Sequence, residues 1–383
     1  MPALLTIALV IDTYGTPTNG TTITAMRTAE GLRRRGHRVH VITGSSCEET
    51  DVHTTGYRKT PLLYQVCKSQ GMPLAKANDK VYRDIFSAVD VVHFFLPFKH
   101  GRSGKRIADR LGVPSCAAFH VQPENITSTL HMEKIKPFNA SIYRLFKRFY
   151  DRFQHVHCPS NMIANELRRH DYQAKLHVVS NGVDAAFKPT DTAPNHRWHD
   201  KHVILMIGRL SREKRQDLLI EAVKQSKHAA DIQLVFAGQG PWRRTLEKMG
   251  KDLPNPPMFD FFTQEALVDI IQASDLYVHA SDVEIEAISC IEAFSCGVVP
   301  IISDSKISAT NQFALSDANL FHAGDATSLS ARIDRWLEHP NQRRAMRQRY
   351  IEYGRQFTLD YTIDGLEAMY HQTIDAHKTK ARP

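Results

Sequence analysis

The stretch LTIALVIDTYGTPTNGTTITAMRTAEGLRRRGHRVHVIT, residues 5–43, reads as strand, loop, helix and strand in turn. LTIALVI (5–11) is apolar throughout, and DTYGTPTNGTT supplies a glycine-containing loop. ITAMRTAEGLRRRGH is helical in pattern, and RVHVIT resumes the strand pattern. One such βαβ unit implies a parallel sheet covered by helices. Later apolar runs repeat the theme: DVVHFF (90–95), PSCAAFH (114–120), HVHCPS (155–160) and KLHVVSNG (175–182).

Between Phe187 and Lys201 the chain turns polar and carries two prolines, FKPTDTAPNHRWHDK, the composition of a linker. The alternation then restarts with HVILMIGRL, RQDLLIEAVKQS, DIQLVFAG and so on to VVPIIS. The pattern predicts an α/β protein with two successive doubly wound domains, residues 1–190 and 191–357. A final helix over about 358–375 is followed by a loose basic tail, AHKTKARP. Ligands of such sheets sit at the carboxyl ends of the strands, so the expected site is a cleft between the domains.

A chain of 383 residues, 42% hydrophobic and 23% charged, is sized for two buried cores and has an ordinary globular composition. No run approaches the ~20 apolar residues that span a bilayer. The apolar start lacks a preceding Lys or Arg and ends at Asp12, which reads as a strand and not a signal peptide. A cytoplasmic location is the expectation. The six cysteines have no CxxC spacing, and the twenty histidines form no HExxH or paired-ligand pattern, so no metal site is expected. A net charge of +8 favours anionic partners: nucleic acid, acidic lipid headgroups or phosphorylated small molecules.

Several strand ends carry chemistry. Asn19-Gly20-Thr21 follows the first strand, where glycine admits close backbone approach and a helix N-terminus suits an anion. It is not a GxGxxG fingerprint, and an ordinary turn explains it equally well. GRLSREKRQD (208–217) puts Arg209 and Lys214 at a strand end ahead of a helix beginning near Arg215, an anion site fit for a diphosphate. The alternative is a solvated charge cluster. FAGQGP supplies Gly238 and Gly240 at another strand end. SDVEIEAISCIEAFSCGVVPIIS (281–303) holds Glu284, Glu286 and Glu292 in an apolar setting. If the segment were fully helical, Glu284 and Glu292 would lie roughly 12 Å apart. That is too far for a shared proton or a glycosidase pair, and it suits two separated hydroxylated groups. Their apolar neighbours argue against a solvated helix.

The pair E-x7-E followed by AFSCGVVP, with GRLSREK upstream, resembles the retaining GT-B glycosyltransferases of family four. The resemblance runs nearly end to end, through NGTT (19–22), FHVQPEN (119–125), SNGVD (180–184) and FTLDYTIDGLEAMY (357–370). It implies that Glu292 binds the nucleotide ribose, that Glu284 lies against the donor sugar, and that Arg209 and Lys214 neutralise the departing diphosphate. It also places Gly20 near that diphosphate and His120 beside donor sugar and acceptor. Ile285-Glu286-Ala287 stands where the family pattern has Gly-Phe-Gly, which alters the backbone next to Ile288 and the sugar. The implied reaction is retaining transfer without metal or other cofactor, the nucleotide sugar being a co-substrate.

On the acceptor side, SIYRLFKRFYDRF (141–153) places Ile142, Leu145, Phe146, Phe149 and Phe153 on one face and Arg144, Lys147, Arg148 and Arg152 opposite. It reads as a helix packed on its domain with a wet basic face, and the alternative is a membrane-surface helix. FHVQPENITSTLHM (119–132) is similar to bacterial enzymes that glucosylate diacylglycerol, which implies UDP-glucose as donor and a lipid acceptor. Transfer to a cell-wall or capsule saccharide is the nearest rival, and nucleotide-sugar epimerisation is the reading from another class. A nucleic-acid partner is not expected, because the aromatics of this basic segment line its apolar face.

Overall fold

The computed structural model describes residues 3–16, 19–58, 72–128, 135–190, 198 and 200–381. The polar stretch read as a linker therefore lies largely outside the described residues.

Two parallel sheets form. The first contains β1 (Thr6–Val10), β2 (Arg38–Thr43), β3 (Val52–Thr54), β4 (Val91–Phe94), β5 (Ser115–Ala118), β6 (His155–Cys158) and β7 (Lys175–Val178), in the order β3-β2-β1-β4-β5-β6-β7. The second contains β8 (His202–Ile207), β9 (Ile232–Ala237), β10 (Met258–Asp260), β11 (Leu276–His279), β12 (Val299–Ser303) and β13 (Leu320–Phe321), in the order β10-β9-β8-β11-β12-β13. Both are doubly wound, with the order reversing between β1 and β4 and between β8 and β11. The near-continuous apolar runs of the central strands follow from this, because helices cover both faces. Ile7, Ala8 and Leu9 of β1, and Val203, Ile204 and Leu205 of β8, are wholly buried.

The chain divides into Met1–Gly182 with Leu359–Pro383, and Val183–Thr358. The first break falls eight residues earlier than the 190/191 boundary read from composition. Packing explains the difference: Val183 and Phe187 join the core of the second unit. Val183 N–H also donates to the Phe357 carbonyl at 2.9 Å, tying that unit's first residue to its end.

The helix Leu359–Ala381 belongs to the first unit. Ile363, Leu366, Met369 and Tyr370 are buried at three- and four-residue spacing. A Cβ on Gly31 would lie 2.7 Å from Ile363 Cγ1, so glycine is what lets this helix approach the helix Gly20–Arg34. Leu5 N–H donates to His37 Nδ1 at 3.0 Å, which leaves the ring proton on Nε2 facing Glu367 Oε1 at 2.7 Å. Arg35 Nη1 donates to the other oxygen of Glu367 at 2.8 Å. Residues 376–381, expected as a loose tail, continue the helix.

The helix Lys136–Tyr150 departs from its expected face. Tyr143, Phe146, Phe149 and Tyr150 are buried, whereas Leu145 is 46% exposed and Ile142 only half-buried. Tyr143 and Tyr150 take the inward positions because their hydroxyls find partners there, Glu124 Oε2 at 3.1 Å and the Ala118 carbonyl at 3.1 Å. Lys147 and Arg152 are ion-paired with Asp151 and Asp109, and Arg144 and Arg148 are exposed. Among the described residues no helix is long and apolar enough to cross a membrane.

Candidate active site

In the second sheet the strand order reverses between β8 and β11, and the residues singled out in sequence cluster at the carboxyl ends of these strands. After β8 the chain passes Gly208 and Arg209 into a short 3₁₀ turn, Arg212–Lys214. Arg215 then takes a left-handed φ of 59°, and the helix starts at Gln216. Arg209 and Lys214 therefore precede the helix on a separate turn.

Gly238 and Gly240 serve packing between strand ends. A Cβ on Gly238 would sit 2.0 Å from the Gly208 carbonyl oxygen, and one on Gly240 would sit 2.2 Å from that of Leu210. The β8 and β9 loops are bonded in register, Gly208 N–H to Ala237 O at 3.0 Å and Leu210 N–H to Gln239 O at 2.9 Å. The close approach at these glycines is thus made by the chain's own backbone, and its effect is to hold Arg209 in place. Gln216 adds a side-chain amide to the Arg209 carbonyl at 2.9 Å.

Both cations are paired. Arg209 Nη2 donates to Glu213 Oε1 at 2.6 Å, and Ser211 Oγ donates to the same oxygen at 2.6 Å. Burial works to raise the Glu213 pKa, but Ser211 and Arg209 hold it below the usual carboxylate range. Lys214 Nζ donates to Glu284 Oε1, and His279 Nε2 lies 3.3 Å from that oxygen. Burial again opposes ionisation of Glu284, but the Lys214 charge and His279 together bring its pKa down to about 2. Glu284 is consequently a carboxylate at neutral pH. Asp282 N–H donates to the Glu213 carbonyl at 2.9 Å, which joins the β8 and β11 loops directly.

The segment 284–287 is not helical, so the roughly 12 Å spacing that assumed a continuous helix does not apply; the helix is Ile288–Ser295. Glu292 lies in its second turn and is 6% exposed. Glu286 is 1% exposed and hence not on the wet surface. Ala287 sits at φ 73°, ψ 71°, the left-handed region, at a position where the family pattern has glycine. Ile285 is not among the positive-φ residues, so only the second of the two missing glycines leaves a conformational mark. Ile288 opens the helix and is half-buried.

Gly20 and His120 lie in the first unit. Gly20 is the first residue of its helix, capped by Asn19, whose side chain accepts from Thr22 N–H at 3.0 Å. His120 follows β5, stacks on Phe95 at 5.3 Å and meets the edge of His157 at 5.3 Å. Burial, reinforced by His157 and His93, holds it well below the usual histidine range, so it is a neutral imidazole. Among the described residues neither of its ring nitrogens has a hydrogen-bond partner.

Two groups escaped the sequence reading. Tyr277 and His279 sit in an apolar strand, and their alternation, which puts both rings on one face, was the available signal. His40, Asp51 and His53 meet because β2 and β3 pair; His40 Nδ1 is 3.1 Å from His53 Nε2 and 3.3 Å from Asp51 Oδ1. Sequence spacing does not disclose this group. Arg38 approaches the same Asp51 oxygen at 3.3 Å, which offsets the charge a metal would use.

Comparison with known proteins agrees with this layout. The profile described as Glycosyl transferases group 1 matches residues 188–357, and that described as Glycosyltransferase Family 4 matches residues 18–187. A GDP-mannose-dependent alpha-mannosyltransferase of Corynebacterium glutamicum is 26% identical over 310 residues, 77% of this chain and 71% of that one. An alpha-monoglucosyldiacylglycerol synthase of Streptococcus pneumoniae is 23% identical over 322 residues, 78% of this chain and 70% of that one. Among solved structures, the Anabaena protein HepE in complex with UDP and glucose superposes with a TM-score of 0.76 at 16% identity, covering 96% of this chain and 99% of its own. At that identity the likeness speaks for the fold, GT-B.

Proposed function

Since the chain belongs to the group 1 and family 4 glycosyltransferases, we propose that it transfers a hexose, glucose from UDP-glucose, to a membrane lipid such as diacylglycerol. The observation that carries the reading is the convergence of Arg209, Lys214 and Glu284 at the reversal of strand order in the second sheet.

A departing nucleoside diphosphate gathers negative charge while the sugar gathers positive charge. Preorganised cations lower that barrier where they need not be gathered from solvent. Arg209 and Lys214 are held by Glu213 and Glu284, and exchange of these carboxylates for phosphate oxygens brings both cations onto the diphosphate. Glu284 offers acceptor oxygens to sugar hydroxyls, and Glu292 does so to the ribose. The family resemblance assigns Gly20 to the diphosphate and His120, a neutral imidazole without a hydrogen-bond partner among the described residues, to the donor sugar and acceptor. Same-face attack retains configuration, and the two cations take the place a metal fills elsewhere.

The lipid acceptor draws on the diacylglycerol relative and on the helix Lys136–Tyr150. There Phe138 and Leu145 are 38% and 46% exposed beside exposed Arg144 and Arg148. Apolar groups flanked by cations suit an anionic lipid surface. GDP-mannose is the rival donor, favoured by the mannosyltransferase relative.

The test incubates purified protein with UDP-glucose or GDP-mannose, with and without diacylglycerol vesicles, and identifies products by mass spectrometry. Acceptor-dependent UDP release and a glucosylated lipid, both unaffected by EDTA and suppressed by orders of magnitude in Lys214→Ala, support the reading. Mannosylated product moves the donor to GDP-mannose. An epimerised nucleotide sugar formed without acceptor overturns transfer altogether.

A further inference from the structure

Glu284 Oε1 faces two groups of different kinds, the charged Lys214, which donates to it, and the ring of His279, whose Nε2 lies 3.3 Å away. His279 ends β11 and is 1% exposed. Its Nδ1 lies 3.0 Å from the Tyr277 hydroxyl, which in turn lies 3.0 Å from Ser289 Oγ. Tyr277 is wholly buried, and Ser289 is in the first turn of the helix Ile288–Ser295.

The protons along this chain follow from one end. Ionised Glu284 only accepts, so the facing Nε2 of His279 carries hydrogen. Nδ1 then presents a lone pair, the Tyr277 hydroxyl donates to it, and Ser289 donates to the tyrosine oxygen. All of these dipoles point at Glu284. The relay fastens β11 to the helix beyond, across the irregular loop that holds the glutamate. The last contact is long, and Nε2 lies outside good hydrogen-bond geometry while Lys214 occupies the same oxygen. Such contacts tighten in the liganded state.

We propose that His279 is a positioning residue for Glu284: when Lys214 turns to the diphosphate, the imidazole takes over as the donor that keeps the carboxylate ionised and aimed at the sugar. This rests on placing Glu284 in the donor site. The charged and titratable groups around the ring are Glu284 and Lys214, with Tyr277 behind it. Burial outweighs the opposing pull of Glu284 and leaves the imidazole pKa lowered, and a neutral ring donates without adding a second charge.

The experiment compares full-length wild type with His279→Leu, which fills the space without a donor, and His279→Gln, whose amide restores one. His279→Leu is expected to lose at least tenfold in kcat with UDP affinity within twofold, and the acid limb of its kcat–pH profile is expected to rise by one pH unit or more. His279→Gln is expected to recover most of kcat. Wild-type kcat and acid limb in His279→Leu, or equal failure of both variants with loss of UDP affinity, overturn the proposal. If wild type transfers no sugar while binding UDP, the functional reading fails, and ¹⁵N NMR of labelled histidine then decides the contact by itself. An Nε2–H tautomer of His279 that responds to Glu284→Gln supports the relay, and an unresponsive ring refutes it.

Discussion

Replacing Lys214 by Met removes one charge and little else, because the aliphatic stem that packs 3.8 Å from the Cβ position of Gly208 is kept. Glu284, 13% exposed along its side chain, then loses its cation. The fall of its pKa from an ordinary 4.5 to about 2 corresponds to about 3 kcal/mol favouring the ionised folded form. The Lys214 charge is the largest single cause of that lowering, and His279 contributes beside it. The expected loss at pH 7 is therefore about 2–3 kcal/mol, in keeping with the penalty for orphaning one member of a buried pair. For a unit of this size that means a melting temperature lower by roughly 5–10 °C.

Glu284→Gln in the same background should restore much of the loss, since no charge is left alone. The unfolded chain takes up a proton at Glu284 near pH 4.5, whereas the folded chain does so only near pH 2. The wild-type advantage is thus complete above about pH 5 and fades as pH falls from there toward 2. Urea denaturation of the four proteins at pH 7 and pH 3, as a double-mutant cycle, measures it. A single variant within 0.5 kcal/mol of wild type at pH 7, or a double variant no better than the single, refutes the reasoning.

Gly238→Ala forces a Cβ to within 2.0 Å of the Gly208 carbonyl, so the β8 loop must move by about 1 Å; a cost of about 1–3 kcal/mol and a drop of roughly 10²-fold in turnover are expected by calorimetry and steady-state assay. Ala287→Val should cost more than about 1 kcal/mol, because a β-branched residue resists φ 73°, while Ala287→Gly should stay near wild type in the same melting assay. Arg144→Glu with Arg148→Glu should weaken binding to anionic vesicles by tenfold or more in flotation, at about 1 kcal/mol per lost cation, and leave binding to neutral vesicles unchanged.

The βαβ pattern of residues 5–43, its restart after residue 201 and the position of Arg209, Lys214 and Glu284 just beyond apolar strands were legible in sequence. They are local, and an apolar run or a glycine before a helix carries its meaning within a few residues. The polar inward face of the helix Lys136–Tyr150 was not legible, because Tyr143 and Tyr150 are buried through distant partners at Glu124 and Ala118. Nor could sequence show that Gly238 accommodates Gly208, that the second unit begins at Val183, or that His279 and Lys214 share one oxygen of Glu284. Those facts depend on the pairing of β8 with β9 and β11, which sets Leu205 beside Tyr277 across 72 residues of chain. Periodicity determines which residues face inward along one element. Which of them meet is decided by sheet order and register, and the pairing of Lys214 with Glu284, unlike the local pair of Arg209 with Glu213, exists only at that level.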